Sequence, residues 1–222
     1  MKELFSKIRE EKRSRILTAA TNEFAKNGFE HTNVNEIAKN AEVSVGSLYK
    51  YFDSKQDIFL TTVRYCASIL KTILDKVMKD DDDWQVKVEK IIRVIQVHSR
   101  ENKVIIQLYN EMATQSNSGI VIETVAEVES LSAELYSGLI EREQKKGGIR
   151  SDCDSRMFAF FLDNLFMMLQ FSYACDYYRE RFKVFVSSDI LQRDNFVAEQ
   201  MLKFMRGAFA AEHSEEKSNS RE

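Results

Sequence analysis

Proline is absent from all 222 residues, and glycine occurs only seven times. Both residues interrupt helices, proline by removing an N–H and glycine by its conformational freedom. A chain with so few breakers can be helical nearly throughout. No Asn-Gly pair sits between alternating apolar runs, so β-hairpins have little support. Cysteine occurs three times, at Cys66, Cys153 and Cys175, in odd number and without C-x-x-C spacing. That argues against a disulfide framework and against zinc, and for reduced thiols in a cytoplasmic protein. His31, His98 and His213 lie far apart with no ligand spacing, so no metal site is expected. A Gly-rich phosphate loop, an H-E-x-x-H pair and a Ser-His-Asp order with supporting motifs are all missing. The chain is therefore expected not to be an enzyme and to need no cofactor. Met1 to Glu11 is charged and lacks the apolar core of a signal peptide.

Net charge gives a mixed message. It is −3 overall, which by itself argues against a nucleic-acid partner. Residues 1–55, however, hold ten Lys and Arg against eight Asp and Glu, whereas beyond them 22 basic residues face 27 acidic ones. A mildly basic head on an acidic body suits a small DNA-reading unit joined to something else. One long apolar run, Met157 to Cys175, approaches the length of a membrane span. Asp163 and Asn164 near its middle would cost about 2.5–3.5 kcal/mol for the Asp alone at the bilayer centre. A helix buried within protein is the better reading, and no membrane contact is expected.

The stretch from Asn33 to Phe52 carries the strongest pattern. Val34, Ile37, Ala38 and Ala41 recur three and four apart, which makes one buried stripe of a short helix. After a break at Glu42, Val43 and Leu48 face the core again, and Phe52 closes the unit. Ser44 stands where an N-cap is wanted. The second helix is too short to be stable alone. Its outward side chains, Val45, Ser47, Tyr49, Lys50 and Tyr51, are of kinds that reach phosphates and base edges. This is helix-turn-helix spacing, in which one helix braces another in the major groove.

Here the chain resembles the TetR family of bacterial regulators. The family pattern is matched at Ile37, Ala38, Ala41, Val43, Ser44, Gly46, Leu48, Tyr49, Tyr51, Phe52 and Lys55, with the like residue Ile58. Ile16 to Ala20 and Phe24 to Phe29 resemble the family's first helix and its stop. The resemblance spans about residues 10–70. It implies that Ser44, Val45, Gly46, Ser47, Tyr49, Lys50 and Tyr51 face operator DNA, and that Asn33, Val34 and Lys55 touch phosphates. The bland alternative is that Tyr49 and Tyr51 only pack the small core. Glu42 departs from the pattern, because the family usually has Gly there. A non-Gly residue at positive φ costs on the order of 1 kcal/mol.

The rest of the chain reads as further helices, about nine in all. The first runs from Glu3 to Asn27 and stops at Gly28. A long one runs from Lys55 to the acidic run Asp80 to Asp83. Others span Trp84–Ser99, Asn102–Ser116, Ser118–Lys146, Arg156–Asp176 and Asp189–Ala211, with a loop or turn at 183–188. The expected fold is all-α: a helix-turn-helix domain at 10–70, a larger helical regulatory and dimerisation domain at 71–213, and a polar tail at 214–222. In the body, polar residues sit among apolar ones. Tyr109, Asn110, Met112, Asp163, Phe166, Met167 and Gln170 could line a pocket for a small, largely hydrophobic effector. The alternative is an ordinary core and dimer seam. Phe158, Val197, Met201, Phe204, Met205 and Phe209 are the expected homodimer residues. Taken together, these readings point to a cytoplasmic repressor, a homodimer released from its operator by a small molecule. The rivals are a helical DNA-binding dimer without an effector and a helical interaction protein without DNA.

Overall fold

The computed structural model describes residues 3–114 and 118–211. His213 and the polar tail at 214–222 lie outside the described residues. Among the described residues, eleven α-helices and one 3₁₀ turn follow in chain order. They are α1 (Glu3–Ser6), α2 (Glu10–His31), α3 (Val34–Asn40), α4 (Val45–Tyr51), α5 (Lys55–Lys79), α6 (Trp84–Glu101), α7 (Lys103–Thr114), α8 (Ser118–Lys146), α9 (Ser155–Ala174), α10 (Asp176–Phe185) and α11 (Asp194–Phe209), with the 3₁₀ turn at Ile190–Gln192. Among the described residues the only β pairing is an isolated antiparallel bridge, Ile149 to Ala210.

Two large apolar clusters organise these helices. The N-terminal cluster joins Ile16, Ala20 and Phe24 of α2, Ile37 of α3, Leu48 of α4 and Phe59 of α5. Each hairpin of this unit has its own local device. Asn33 caps α3, its side chain accepting from the Asn35 N–H at 2.9 Å. Ser44 caps α4, accepting from the Ser47 N–H at 3.1 Å. Ser54 caps α5, accepting from the Asp57 N–H at 3.1 Å. Gly28 has φ 67 and ψ 174, so the helical path breaks there as its position after Asn27 suggests. The turn between α3 and α4 is tied by the Val43 N–H to the Ala38 carbonyl at 2.9 Å.

The second cluster is built on α6, α9 and α11. Trp84, Val88, Ile91, Ile92 and Ile95 form the buried stripe of α6 and meet Ala159, Leu162, Phe166 and Leu169 of α9. Asp83 caps α6 through the N–H groups of Gln85 and Val86, at 2.8 and 3.0 Å. Asp80 and Asp82 both hold Lys90, so the acidic run is a helix cap with an ion-pair cluster. A polar knot fastens the far end. Arg100 of α6 pairs with Asp194 and lies over the Tyr173 ring, 4.3 Å from its centroid. Tyr173 donates to the Asp194 carboxylate at 2.9 Å, and the Gln96 amide donates to the Asp194 carbonyl at 2.9 Å.

The observed helices differ from the periodicity reading in three places. The first expected helix is split, because α1 turns back so that Phe5 is buried against Tyr51 and Phe52, with ring centroids 5.8 and 4.7 Å apart. The expected loop before the last helix is partly α10. Cys175 is extended, the Gln107 amide caps the Ala174 carbonyl at 3.1 Å, and a new helix starts at Asp176. Finally, α11 begins at Asp194, because the Arg100 knot fixes that residue.

Helix α9 is the one described helix long and apolar enough to cross a membrane by length and composition. Its inner face packs against α6, α7, α8 and α10. Its outer face leaves Met157, Phe160 and Phe161 exposed at 50%, 60% and 48%.

Candidate nucleic-acid interface and effector cavity

Helix α4 turns Leu48 inward, fully buried, and leaves Tyr49 and Lys50 outward. Gly46 sits on the outward side, and a Cβ built there would meet nothing within 4 Å. No packing inside the protein therefore requires glycine at this position. Ser47 is half-buried, with its hydroxyl 2.9 Å from that of Ser44. Val34 and Val45 are half-buried and pack on the N-terminal cluster, so their bodies serve the core while their edges reach the surface.

Two of the expected DNA-facing residues are turned elsewhere. Tyr51 is only 8% exposed, its ring packed on Phe5 and its hydroxyl accepting from the Lys12 ammonium at 3.1 Å. Lys55 donates to the carbonyls of Glu30 and Thr32 at 2.9 and 3.2 Å and lies over the Phe29 ring. Its ammonium closes the C-terminal end of α2, where a cation meets the unpaired carbonyls favourably. Both side chains brace the unit from behind. Glu42 has φ 54, the only non-Gly residue with positive φ among the described residues, and its carboxylate pairs with Arg15 at 3.1 Å.

Below this unit lies a cavity of about 110 Å³ between α5, α6, α7, α8 and α9. On α5 the lining residues Val63, Cys66, Ala67, Leu70 and Leu74 recur at helical spacing. Of the residues singled out from sequence, Tyr109, Asp163, Met167 and Gln170 line it. Asn110, Met112 and Phe166 do not. Met112 packs in the N-terminal cluster, and Phe166 is buried against Tyr136 with ring centroids 5.5 Å apart. The sequence reading missed His98, Glu129, Ser132 and Tyr136, all on the wall. A signal existed for the last three: they stand three and four apart on α8, so one face of that helix carries a polar row.

The cavity is polar on one side and apolar on the other. The Tyr109 hydroxyl donates to Glu129 Oε1 at 2.6 Å. Burial, with the charge of Glu129 as the next cause, pushes the Tyr109 phenol far above its usual range. Burial and the Asp163 charge do the same for Tyr136. Asp163 itself is raised to about 6, first by burial and then by Glu129, against the opposing effect of the nearby Ser132 hydroxyl. Burial lowers the pKa of His98, partly offset by the charge of Glu101. The His98 Nε2 has no hydrogen-bond partner among the described residues, and the residue is 4% exposed. Burial pushes the Cys66 thiol up to about 11, so it is a packing group rather than a nucleophile.

Comparison with known sequences and structures agrees with this geometry. Residues 16–62 match the profile described as "Bacterial regulatory proteins, tetR family". The chain belongs to the TetR family. It is a DNA-binding transcriptional regulator. This TetR-family chain is 25% identical over 158 residues to the uncharacterized HTH-type transcriptional regulator YhgD of Bacillus subtilis (strain 168), covering 71% of the one and 82% of the other. It is 24% identical over 204 residues to the HTH-type transcriptional repressor KstR2 of Rhodococcus jostii (strain RHA1), covering 91% and 93%. Its fold is that of the transcriptional regulator FadR from Bacillus subtilis, solved in complex with stearoyl-CoA, with a TM-score of 0.69 at 19% identity, covering 85% of this chain and 97% of that one.

Three cavity-lining residues, Val63, Cys66 and Leu108, also belong to the N-terminal cluster around α3 and α4. Leu108 lies on α7, which packs against α2. The DNA-reading unit and the cavity wall thus share side chains.

Proposed function

We propose that this chain is a homodimeric repressor that reads operator DNA with α4 and leaves it when a small molecule occupies the cavity. The shared wall carries the reading. An occupant that moves Val63, Cys66 or Leu108 moves members of the apolar cluster that also holds Ile37 of α3 and Leu48 of α4, and α5 runs from that unit along the cavity. Well-packed interiors transmit such strain because they are close to incompressible. The names of relatives agree: KstR2 is a repressor, and FadR has been solved with stearoyl-CoA.

Ser44, Gly46, Ser47, Tyr49 and Lys50 are the residues proposed to face DNA. The edges of Val45 and Val34 lie beside them, and Asn33 stands at the α3 cap. Tyr51 and Lys55 position this face from behind. A two-fold dimer would set two α4 helices about 34 Å apart, on successive major grooves. The exposed apolar side chains Met157, Phe160, Phe161 and Phe204 are the proposed seam, a surface that solvent does not favour.

The test is a salt-controlled titration with DNA from upstream of the chain's own gene. Wild type should bind it, and Lys50→Ala should bind about 1–3 kcal/mol more weakly with a salt slope shallower by about one. Ligand coupling must be reciprocal, so any molecule that releases DNA must bind the protein–DNA complex more weakly by the same factor. Equal affinity of every cavity ligand for free and DNA-bound protein would leave a DNA-binding dimer without a sensor.

A further inference from the structure

The interior of the cavity carries an unusual charge arrangement. Glu129 of α8 and Asp163 of α9 both line it, and the charge of Glu129 raises the pKa of Asp163. The hydrogen bond that the Glu129 carboxylate accepts comes from a neutral group, the Tyr109 hydroxyl, and a second neutral group, the Ser132 hydroxyl, stands beside Asp163. The one lysine on the wall, Lys71, is half-exposed and pairs with Asp75 at 2.6 Å. Among the described residues, the two acids thus share the cavity wall with no arginine and no second lysine. A second observation is independent of them. His98 lines the same cavity, and its Nε2 has no partner among the described residues. Its Nδ1 lies 3.2 Å from Asn102 Nδ2, an amide nitrogen that donates and does not accept. The neutral ring therefore carries its proton on Nε2, a buried donor without an acceptor. Such a group in a native interior calls for a partner.

We propose that the effector is a small amphipathic amine: its ammonium sits between Glu129 and Asp163, its apolar body lies along Val63, Ala67 and Leu70, and an oxygen of its chain accepts from His98 Nε2. This rests on the effector-sensor reading and adds the chemical class. The ammonium supplies the charge that the acid pair lacks. A carboxylate in the same place would meet two like charges, and an alcohol would leave both unneutralised.

The test uses the full-length protein and three probes of equal chain length: octylamine, octanol and octanoate. Calorimetric titration at pH 7.5 should give octylamine at least ten-fold tighter than either of the others. The double variant Glu129→Gln, Asp163→Asn should lose that preference and retain octanol binding. Both substitutions are near-isosteric, and thermal melting confirms folding. Equal affinities, tighter octanoate, a preference that survives the double substitution, or no binding by any probe would overturn the proposal. A panel of alkoxyalkylamines with the oxygen at successive positions tests His98. At least one should bind wild type several-fold tighter than octylamine, and His98→Phe should abolish that gain. If none gains, His98 has no part in recognition. Octylamine binding without release of operator DNA would sustain this ligand class and refute the sensor reading, so the two failures are separable.

Discussion

Asp163 shows how one side chain links stability and pH. Burial and the charge of Glu129 raise its pKa to about 6 from an ordinary 3.8. In the folded protein it therefore binds a proton more readily than in the unfolded chain. Its contribution to stability is fully present below about pH 4 and is lost as pH rises through about 6. Above pH 7 the buried carboxylate opposes folding. Asp163→Asn should then stabilise the protein by about 1–2 kcal/mol at pH 8, after allowance for solvent screening, and the gain should vanish by pH 4. Denaturant melts across that range check the sign, and a gain independent of pH would assign the effect to something other than ionisation. Glu42 is the other residue under local stress. Its left-handed φ of 54 opposes an exposed ion pair with Arg15. The strain is worth about 1–2 kcal/mol and the exposed pair under about 1. Glu42→Gly should raise stability by up to about 1 kcal/mol by chemical denaturation. A loss would mean that the Arg15 pair outweighs the backbone strain.

At the scale of the element, α4 depends on its neighbours. Seven residues cannot hold a helix in water. The Ser44 cap, the inward Leu48 and the packing of Phe5 on Tyr51 and Phe52 hold it in place. Gly46 separates folding from recognition on this helix. Open space surrounds its missing side chain, so Gly46→Ala should leave stability unchanged or raise it by under about 1 kcal/mol. The same methyl group would stand where DNA approaches, and operator affinity should fall at least ten-fold. Melting and DNA titration on the same preparation read the two effects apart. Unchanged DNA affinity would remove Gly46 from the interface.

For the whole molecule, α11 divides its apolar residues between two tasks. Val197, Met205 and Phe209 are buried within the chain at 6%, 0% and 4% exposure, and Phe158 packs edge-on against Phe209 with ring centroids 4.6 Å apart. Met201 is half-buried against the same cluster. These residues hold α9, α6 and α11 together, and the dimer seam proposed above is centred instead on Phe204, which is 63% exposed. Phe204→Glu should give folded monomers by light scattering, with operator binding lost. Val197→Glu should instead unfold the body, because it buries an unpaired charge at a cost above about 3 kcal/mol. A folded Val197→Glu monomer, or a Phe204→Glu dimer with full DNA affinity, would place the seam elsewhere.

Much of this was determined locally. The lack of proline and the apolar spacing dictated helices, and the caps at Asn33, Ser44, Ser54, Asp83 and Asp154 fixed where several begin, because these signals act within one turn of chain. The recognition motif was legible for the same reason, since its register lies within twenty residues. What the sequence could not give was the partner of each buried face. Periodicity shows that Val197 and Phe204 are both apolar, but not which one meets the protein's own core. It marks Lys55 and Tyr51 as a cation and an aromatic beside the motif, while only the path of α2 turns them inward. The cavity joins five helices separated by up to a hundred residues. Asp163 was visible as a polar residue in an apolar run, but Glu129 and His98 became its neighbours only through packing. Their mutual electrostatics exist only in the folded chain.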